Sequence, residues 1–365
     1  MTPRDPETEH NDQPPEQPAA PPRARYRRQT AYHKIGAAGQ VAIAQASIAI
    51  VGVGALGTAA AERLTRAGIG RLRLIDRDWV EEDNLPRQTL FTEADAAAKR
   101  PKAIAAAEAL RAIDTSVALE TEVAEFHCGN AQRLAADCDL LIDGTDNFET
   151  RFLINDLALH ASLPWVHGGV IGTSGQVMAI VPRQTCCLRC ILPDPPPADA
   201  LQTCNTAGVL GPSVSIIAAL QVIAALKIVV EGRQTVRSEW SSIETWDLRI
   251  RTFAADPEVL RPSCPACGPH GRLEYLSGDR SSPAAILCGR NAVQLSGSGQ
   301  VNLSSLAARL TVADGETKLT AANPFLVRLA VEGLEIAVFA DGRTVVTGTE
   351  DETIARRAVS RWIGL

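Results

Sequence analysis

Two periods of apolar positions alternate along the middle of the chain. From Ser47 to Val53 the run SIAIVGV is short, β-branched and apolar, as in a strand buried on both faces, and it passes through a glycine turn into the alanine-rich TAAAERLTRAG, which reads as a helix. RLRLID is a second strand ending in Asp76, followed by a polar loop through Arg87 and a helix from about Lys99 to Ile113. DLLIDGT reads as a strand reaching Asp146, and PWVHGGV and GQVMAIV are further strand-like runs. Strands alternating with helices predict an α/β fold with a mostly parallel sheet covered on both faces. One stretch, SVSIIAALQVIAALKIVV at 213–230, is apolar enough to be weighed as a membrane span. Gln221 and Lys227 interrupt it at helical spacing and its length is at the lower limit, so a buried or interface helix is expected.

The two ends read differently. Residues 1–24 hold seven prolines and many charges and are expected to form a disordered tail. After Gly268 the pattern shifts to glycine, serine and short alternating runs, with DGR between two apolar segments as a hairpin signal and IARRAVSRWIG as a final helix. The expected division is therefore 1–24, 25–268 and 269–365, the last a small α/β domain. Net charge is -6, which argues against a nucleic-acid backbone as the main partner. The polar start resembles no export signal, so a cytoplasmic protein is expected, and its nine cysteines read as thiols or metal ligands.

Gly52-Val53-Gly54-Ala55-Leu56-Gly57 places glycines where a backbone turns sharply and approaches a phosphate at a helix N-terminus. With Asp76 at the next strand end to accept from ribose hydroxyls, this gives a Rossmann-like dinucleotide fingerprint. The pattern points to a nucleotide without saying which, and a tight turn that packs strand on helix is the plainer alternative.

Cys187-Leu-Arg-Cys190 and Cys264-Pro-Ala-Cys267 form two CxxC pairs. Four thiolates suit a closed, tetrahedral structural zinc site with no open catalytic position. Cys186 could replace its neighbour, although the spacing to Cys190 favours Cys187. Cys128, Cys138 and Cys288 have no partner spacing and are expected to be small buried hydrophobes. No histidine pair has ligand spacing. His167 either lines the site or is a hydrogen-bonded histidine at a strand end.

Behind the fingerprint, in order, come Asp83-Asn84-Leu85-Pro86-Arg87-Gln88, then Lys102, then Thr145-Asp146-Asn147-Phe148-Glu149-Thr150-Arg151; Arg25-Tyr26-Arg27-Arg28-Gln29 precedes it, and Cys204, GVLGP and the Gln221 helix follow. With these motifs the chain resembles the ThiF/MoeB/HesA family, bacterial relatives of ubiquitin-activating enzymes, from about Tyr26 to Gly268. GRTVVTGTEDETIARR also looks like the tail domain of some longer members.

The resemblance implies an adenylyltransferase that joins AMP from ATP to the C-terminal Gly-Gly carboxylate of a small ubiquitin-fold sulfur carrier of the ThiS or MoaD type, releasing pyrophosphate, in thiamine or molybdopterin biosynthesis. It implies ATP, Mg2+ and Zn2+, a homodimer, and a sulfur donor such as a cysteine desulfurase or rhodanese. Arg87 and Lys102 would hold phosphates, with Asn84 and Gln88 shaping that loop. Asp146 would bind magnesium as a hard oxygen ligand. Asn147 and Arg151 would support the loop and the incoming peptide tail, and Arg28 would reach into the neighbouring subunit's site. Cys204 matches a cysteine that some members use as a nucleophile; as residues alone, a nucleophile and a structural cysteine both stay open. Ala55 departs from the family's third consecutive glycine, which is tolerable if its φ is negative.

Each residue singly has a bland alternative: Arg87 and Lys102 as surface charges, Asp146 as a turn cap, Arg151 paired with Glu149 or Asp156. A nicotinamide-dependent oxidoreductase would share the glycine turn and Asp76 but not the other charges or the cysteine pairs. A noncatalytic subunit that binds a ubiquitin-like protein has no need of Arg28, Arg87, Lys102 and Asp146 together. A relative that dehydrates a tRNA base fits poorly with the cysteine pairs and the acidic balance.

Overall fold

A computed structural model of the chain describes residues 24–196, 207–280, 284–287, 291–295, 300–312 and 318–364. The larger sheet has eight strands: β1 (Ser47–Val51), β2 (Arg71–Ile75), β3 (Ala118–Glu122), β4 (Leu140–Asp143), β5 (Trp165–Ile171), β6 (Ser174–Ile180), β7 (Glu239–Glu244) and β8 (Arg249–Ala254), in the order β3-β2-β1-β4-β5-β6-β7-β8. The first five are parallel. The β5–β6 hairpin reverses the direction, and β6, β7 and β8 continue antiparallel. β1 and β4 are buried along their whole length, which explains their unbroken apolar runs.

Two strand ends differ from the sequence reading. β2 stops at Ile75 and β4 at Asp143, so Asp76 and Asp146 stand in the turns just beyond. The helix expected from Lys99 begins at Lys102, because Pro101 occupies its N-cap with an extended ψ of 132°.

The apolar Gly211–Glu231 helix is the one helix among the described residues long and apolar enough to cross a membrane. Its Val214, Ile217, Ala218, Val222, Ala225 and Ile228 lie in the main core cluster. Gln221 is fully buried and donates Nε2 to the Asp143 carbonyl at 2.8 Å, so this polar interruption fastens the helix to the end of β4. Gly168 is small for the same reason: a β-carbon there would lie 2.3 Å from the Gln221 side chain.

The second sheet holds β9 (Ala284–Leu287), β10 (Ala292–Leu295), β11 (Lys318–Ala322), β12 (Leu326–Val331), β13 (Leu334–Phe339) and β14 (Thr344–Thr347), in the antiparallel order β11-β12-β13-β14-β10-β9. The DGR signal is the β13–β14 connection, with Gly342 at φ +85° and the Phe339 N–H donating to the Arg343 carbonyl at 2.9 Å. A tighter turn at Glu332-Gly333, with φ of +48° and +79°, joins β12 to β13. The Leu303–Val312 and Glu352–Trp362 helices cover this sheet, and Asp351 caps the second by accepting from the Thr353 and Ile354 amides.

Candidate nucleotide site and cysteine centre

The site is built at the carboxyl ends of β1, β2 and β4, where a doubly wound sheet binds its ligand. Gly52 has φ +87°, and a β-carbon on it would lie 2.7 Å from the Gly144 carbonyl oxygen. One on Gly57 would lie 1.9 Å from the Gly52 oxygen, so only glycine allows the Ala55–Ala67 helix to start this close to β1. Gly54 differs: its β-carbon would meet nothing nearer than 3.9 Å, which leaves a backbone cradle at the helix N-terminus open to an anion. Ala55 is the first helical residue and has no positive φ, so its methyl is accommodated.

Around this cradle the turns bring the other groups together. Asp76 accepts the Val53 amide at 2.6 Å and the Asp78 amide at 2.7 Å, which ties it to the glycine turn while each oxygen keeps a lone pair for a further donor. Burial pushes its carboxyl pKa up; Lys102 opposes that and Asp78 adds to it. Lys102 is only 4% exposed, with Nζ 3.7 Å from Asp78 Oδ2 and its amide donating to the Asp78 carbonyl at 2.9 Å. It is therefore no surface charge. Gln88 is buried against Gly54, and its Oε1 has no hydrogen-bond partner among the described residues. Asn84 is buried and accepts the Glu81 amide at 3.3 Å, shaping the loop that presents half-buried Arg87, whose guanidinium donates to the Asp83 carbonyl. Gly211 of GVLGP abuts this loop, 2.7 Å separating its added β-carbon from the Pro86 oxygen.

Asp146 is exposed in the turn just beyond β4, near the Arg77 charge, and makes no hydrogen bond among the described residues. Asn147 caps the Phe148–Ala161 helix by accepting the Thr150 amide at 2.8 Å. Arg151 turns toward the end of β4. Its Nη2 donates to the Thr145 carbonyl at 2.7 Å and its Nε lies 3.3 Å from Asp143 Oδ2. Beneath the loop, His167 is buried within β5 with Nδ1 2.8 Å from the same Asp143 oxygen. Burial opposes the Asp143 charge, yet Arg151 and His167 hold its pKa below the usual carboxylate range, and burial keeps His167 low. His167 is thus a hydrogen-bonded core histidine that supports the Asp146 loop from below.

Arg77 and Asp78 had no motif to reveal them. Burial weakens the Arg77 charge, but Asp78, Glu125, Asp146 and Asp76 surround it and raise its pKa. A charge placed among those carboxylates is legible only once the turns meet.

Arg28 is exposed and lies far from this cradle. Neighbouring Gln29 donates to the Ala67 carbonyl at 2.9 Å, at the opposite end of the Ala55–Ala67 helix from the glycine turn. Thirteen helical residues separate the two by roughly 20 Å. Cys204 falls outside the described residues, as does Cys288.

The four CxxC cysteines converge, with their sulfurs within 4.8 Å of one another. Cys187–Cys264, Cys190–Cys267 and Cys190–Cys187 are 3.5, 3.4 and 3.8 Å apart. These are too long for disulfides and near the roughly 3.8 Å edge of a tetrahedron of metal–sulfur bonds. Amides of Ala266 and Cys267 donate to Cys264 Sγ, each at 3.4 Å, as they would to a thiolate. The four thiols share their hydrogen bonds: donation from Cys187 and Cys190 lowers the pKa of Cys264 and brings Cys267 to about 7, while Cys187 and Cys190 themselves are pushed up. Cys186 points elsewhere, its thiol 3.5 Å from the Ala255 carbonyl. Cys128 and Cys138 are half-buried at the edge of the adjoining apolar cluster.

The model for the ThiF family matches residues 26–266. The sulfur carrier protein ThiS adenylyltransferase of Bacillus subtilis (strain 168) is 38% identical over 344 residues, 93% of this chain and 99% of its own, so the likeness continues through the second sheet. The SAMP-activating enzyme E1 of Haloferax volcanii is 32% identical over 247 residues, 68% of this chain and 89% of its own. Among solved structures, E. coli MccB with ATP shares the fold at 20% identity and TM-score 0.58, over 67% of this chain and 74% of that one. The glycine cradle, the charged turns around it and these matches together establish that the chain belongs to the ThiF family.

Proposed function

We propose that the protein is an adenylyltransferase that uses ATP to activate the C-terminal Gly-Gly carboxylate of a ThiS-type sulfur carrier, for thiamine biosynthesis. The observation that carries this reading is the open cradle at Gly54 ringed by Asp76, Gln88, Lys102 and Asp146, and the full-length match to a ThiS adenylyltransferase supports the choice of carrier. A MoaD-type carrier in molybdopterin biosynthesis is the alternative partner.

A carboxylate oxygen of the carrier attacks the α-phosphorus of ATP; its bond to the bridging oxygen breaks, and pyrophosphate leaves with that electron pair. Two anions must meet, so the residues act by positioning and by charge. Gly52, Gly54, Ala55 and Gly57 offer backbone amides to phosphate, and Asp76 accepts from the ribose. Lys102 and Arg87 hold phosphate oxygens, with Asn84 and Gln88 fixing that loop. Asp146 would hold magnesium, which when bound neutralises triphosphate charge, while Asn147 and Arg151 keep the Asp146 turn in place.

Arg28 completes the site in the second subunit of a homodimer, because it stands a helix length from its own cradle. Exposed Ile216 and Ile223 on the Gly211–Glu231 helix, the latter 62% accessible, support such an interface. Cys187, Cys190, Cys264 and Cys267 would hold a structural zinc ion. The adenylation unit is residues 25–268, between a 1–24 tail and a 269–365 C-terminal domain. We place the enzyme in the cytoplasm, where such thiols stay reduced; the Cys204 thiolate attacks the acyl adenylate to form a thioester as AMP leaves, or takes the outer sulfur of a persulfide on a cysteine desulfurase or rhodanese as that donor's thiolate leaves.

The test is ATP–pyrophosphate exchange with purified ThiS-type and MoaD-type carriers. Exchange that requires ATP and a carrier ending in Gly-Gly is expected, faster with the ThiS type. Exchange with neither carrier would overturn the reading. A Cys204→Ala enzyme should still exchange pyrophosphate but fail to pass on sulfur.

A further inference from the structure

The C-terminal sheet is docked on the turn that carries the ribose carboxylate. Trp79, 7% exposed, leaves the larger domain and enters an apolar cluster with Ala292, Leu326, Ala337, Phe339 and Val345. It stacks on Phe339 with centroids 5.6 Å apart, and the Arg328 guanidinium covers the Trp79 ring at 4.9 Å. Two polar links run beside this cluster. Arg343 Nη2 donates to the Arg77 carbonyl at 2.7 Å, and Gln294 donates to Glu125, the carboxylate that also accepts from Arg77.

Arg343 is costly where it sits. It is 3% exposed, its Nε and Nη1 lack hydrogen-bond partners among the described residues, and it lies against Phe339 with Arg77 nearby. Burial, and then the Arg77 charge, push its pKa down to about 10, with Asp341, Asp78 and Glu125 opposing. Fold stability alone would favour an apolar side chain there. Its guanidinium hydrogen-bonds the backbone between Asp76 and Asp78 and has one looser ion pair, 3.9 Å to Asp341 Oδ2. From there the turn is held on its other side by the Lys102 amide on Asp78 and the Val80 amide on Arg100, which fixes the start of the helix bearing Lys102.

We infer that the C-terminal domain is a positioning element for the nucleotide, with Arg343, Gln294 and Trp79 holding the Asp76–Asp78 turn at the geometry that grips the ribose. This rests on the reading that Asp76 binds the ribose of ATP. Undocking the turn weakens recognition of the ribose, from which Asp76 alone is assigned to accept, more than of the phosphates, which Arg87 and the amides of the glycine turn share with Lys102.

The experiment measures equilibrium binding of Mg-ATP and Mg-2′-deoxy-ATP to the full chain, wild type and Arg343→Ala, with melting curves to show that both fold. Arg343→Ala is expected to weaken ATP binding about 5- to 10-fold and to shrink the preference for ATP over the deoxynucleotide at least 3-fold, with Arg343→Lys recovering part of both. A structural loss would lower both affinities equally and leave that ratio unmoved, which overturns the inference, as does ATP binding at the wild-type level. Gln294→Leu, which severs only the Glu125 link, is expected to shift the ratio the same way by about 2-fold and supplies the test should Arg343→Ala not fold; an unmoved ratio there overturns the inference too. A folded wild type that binds no ATP overturns the nucleotide reading and this inference with it, whereas a wild type that binds and variants that match it overturn the inference alone.

Discussion

The glycine-turn site and the cysteine cluster both collect residues from distant parts of the chain, yet they are opposite in construction. The cluster is four identical groups, mostly buried, that face one another and leave no coordination position free. The turn site is five different kinds of group arranged around open space, with Asp146 exposed and Gln88 Oε1 unpartnered among the described residues. A closed set of ligands holds a fold together; an open set of unmatched charges and amides is ready for a substrate. The contrast predicts that damage at the first should appear as lost stability and damage at the second as lost rate.

Asp146→Ala should give the largest effect. Removing the exposed carboxylate should lower carrier-dependent pyrophosphate exchange by on the order of 10³-fold, the several kcal/mol a metal contributes to the transition state. Melting temperature should stay within a degree or two of wild type, since Asp146 makes no hydrogen bond among the described residues and is one of four carboxylates around Arg77. An enzyme that melts normally and exchanges at full rate would remove Asp146 from the site.

Next, Arg28→Ala should lower exchange by about 10²- to 10³-fold, the usual loss of one charged donor to the transition state. Mixing it with the Asp146 variant should restore up to a quarter of wild-type activity if the arginine serves the neighbouring subunit, because one heterodimer site is then intact. Mixtures as inactive as the two parents would break the in-trans assignment.

Residue types and spacing reveal some parts of the molecule and hide others. The glycine turn is written in residue types because backbone crowding permits no other choice at Gly52 and Gly57. The CxxC spacing is legible for a similar reason, a metal needing two ligands from one short turn. Charges on its own helix offered Glu149 or Asp156 to Arg151, yet its guanidinium reaches Asp143, brought near by the end of β4. The reversal at β5–β6 is hidden because a run such as GQVMAIV looks the same in either direction. Arg77, Asp78 and Trp79 sit in a polar loop with no periodicity, and the contact that gives Arg77 its setting comes from a residue 266 positions later. Spacing carries local geometry well and carries docking between domains hardly at all.

Cys264→Ser or a strong zinc chelator tests the other side of the contrast. Losing the centre should lower the melting temperature by about 10 °C, corresponding to roughly 3–5 kcal/mol in a domain of this size. At a temperature where the variant is folded, ATP affinity should change less than about 3-fold, because the cluster and the cradle share no residue. Metal analysis of the wild type should give one zinc per chain. A variant with normal melting and abolished nucleotide binding would reverse the roles assigned to the two regions.

The smallest effect concerns the anchor of the Arg28 segment, which is buried like the cluster and which the proposed homodimer would bring to the open site. Asp114 is buried, accepts from the Tyr26 hydroxyl at 2.5 Å and pairs with Arg25 at 2.7 Å. Burial alone would raise its pKa, but the hydrogen bonds from Tyr26 and Ser116 and the Arg25 charge outweigh it and lower the carboxyl to about 2. A folded value below the ordinary one near 3.9 means that the anchor contributes fully above about pH 4 and fades as pH falls toward 2. Asp114→Asn should therefore lower the melting temperature by about 2–4 °C at pH 7, and the gap should narrow on acidification below pH 4. Exchange should fall a few-fold while ATP binding stays unchanged, since only the placement of Arg28 is disturbed. A gap that widens in acid, or exchange that falls only in step with ATP affinity, would show that Asp114 acts on the fold or the cradle and not on the segment proposed to reach a second subunit.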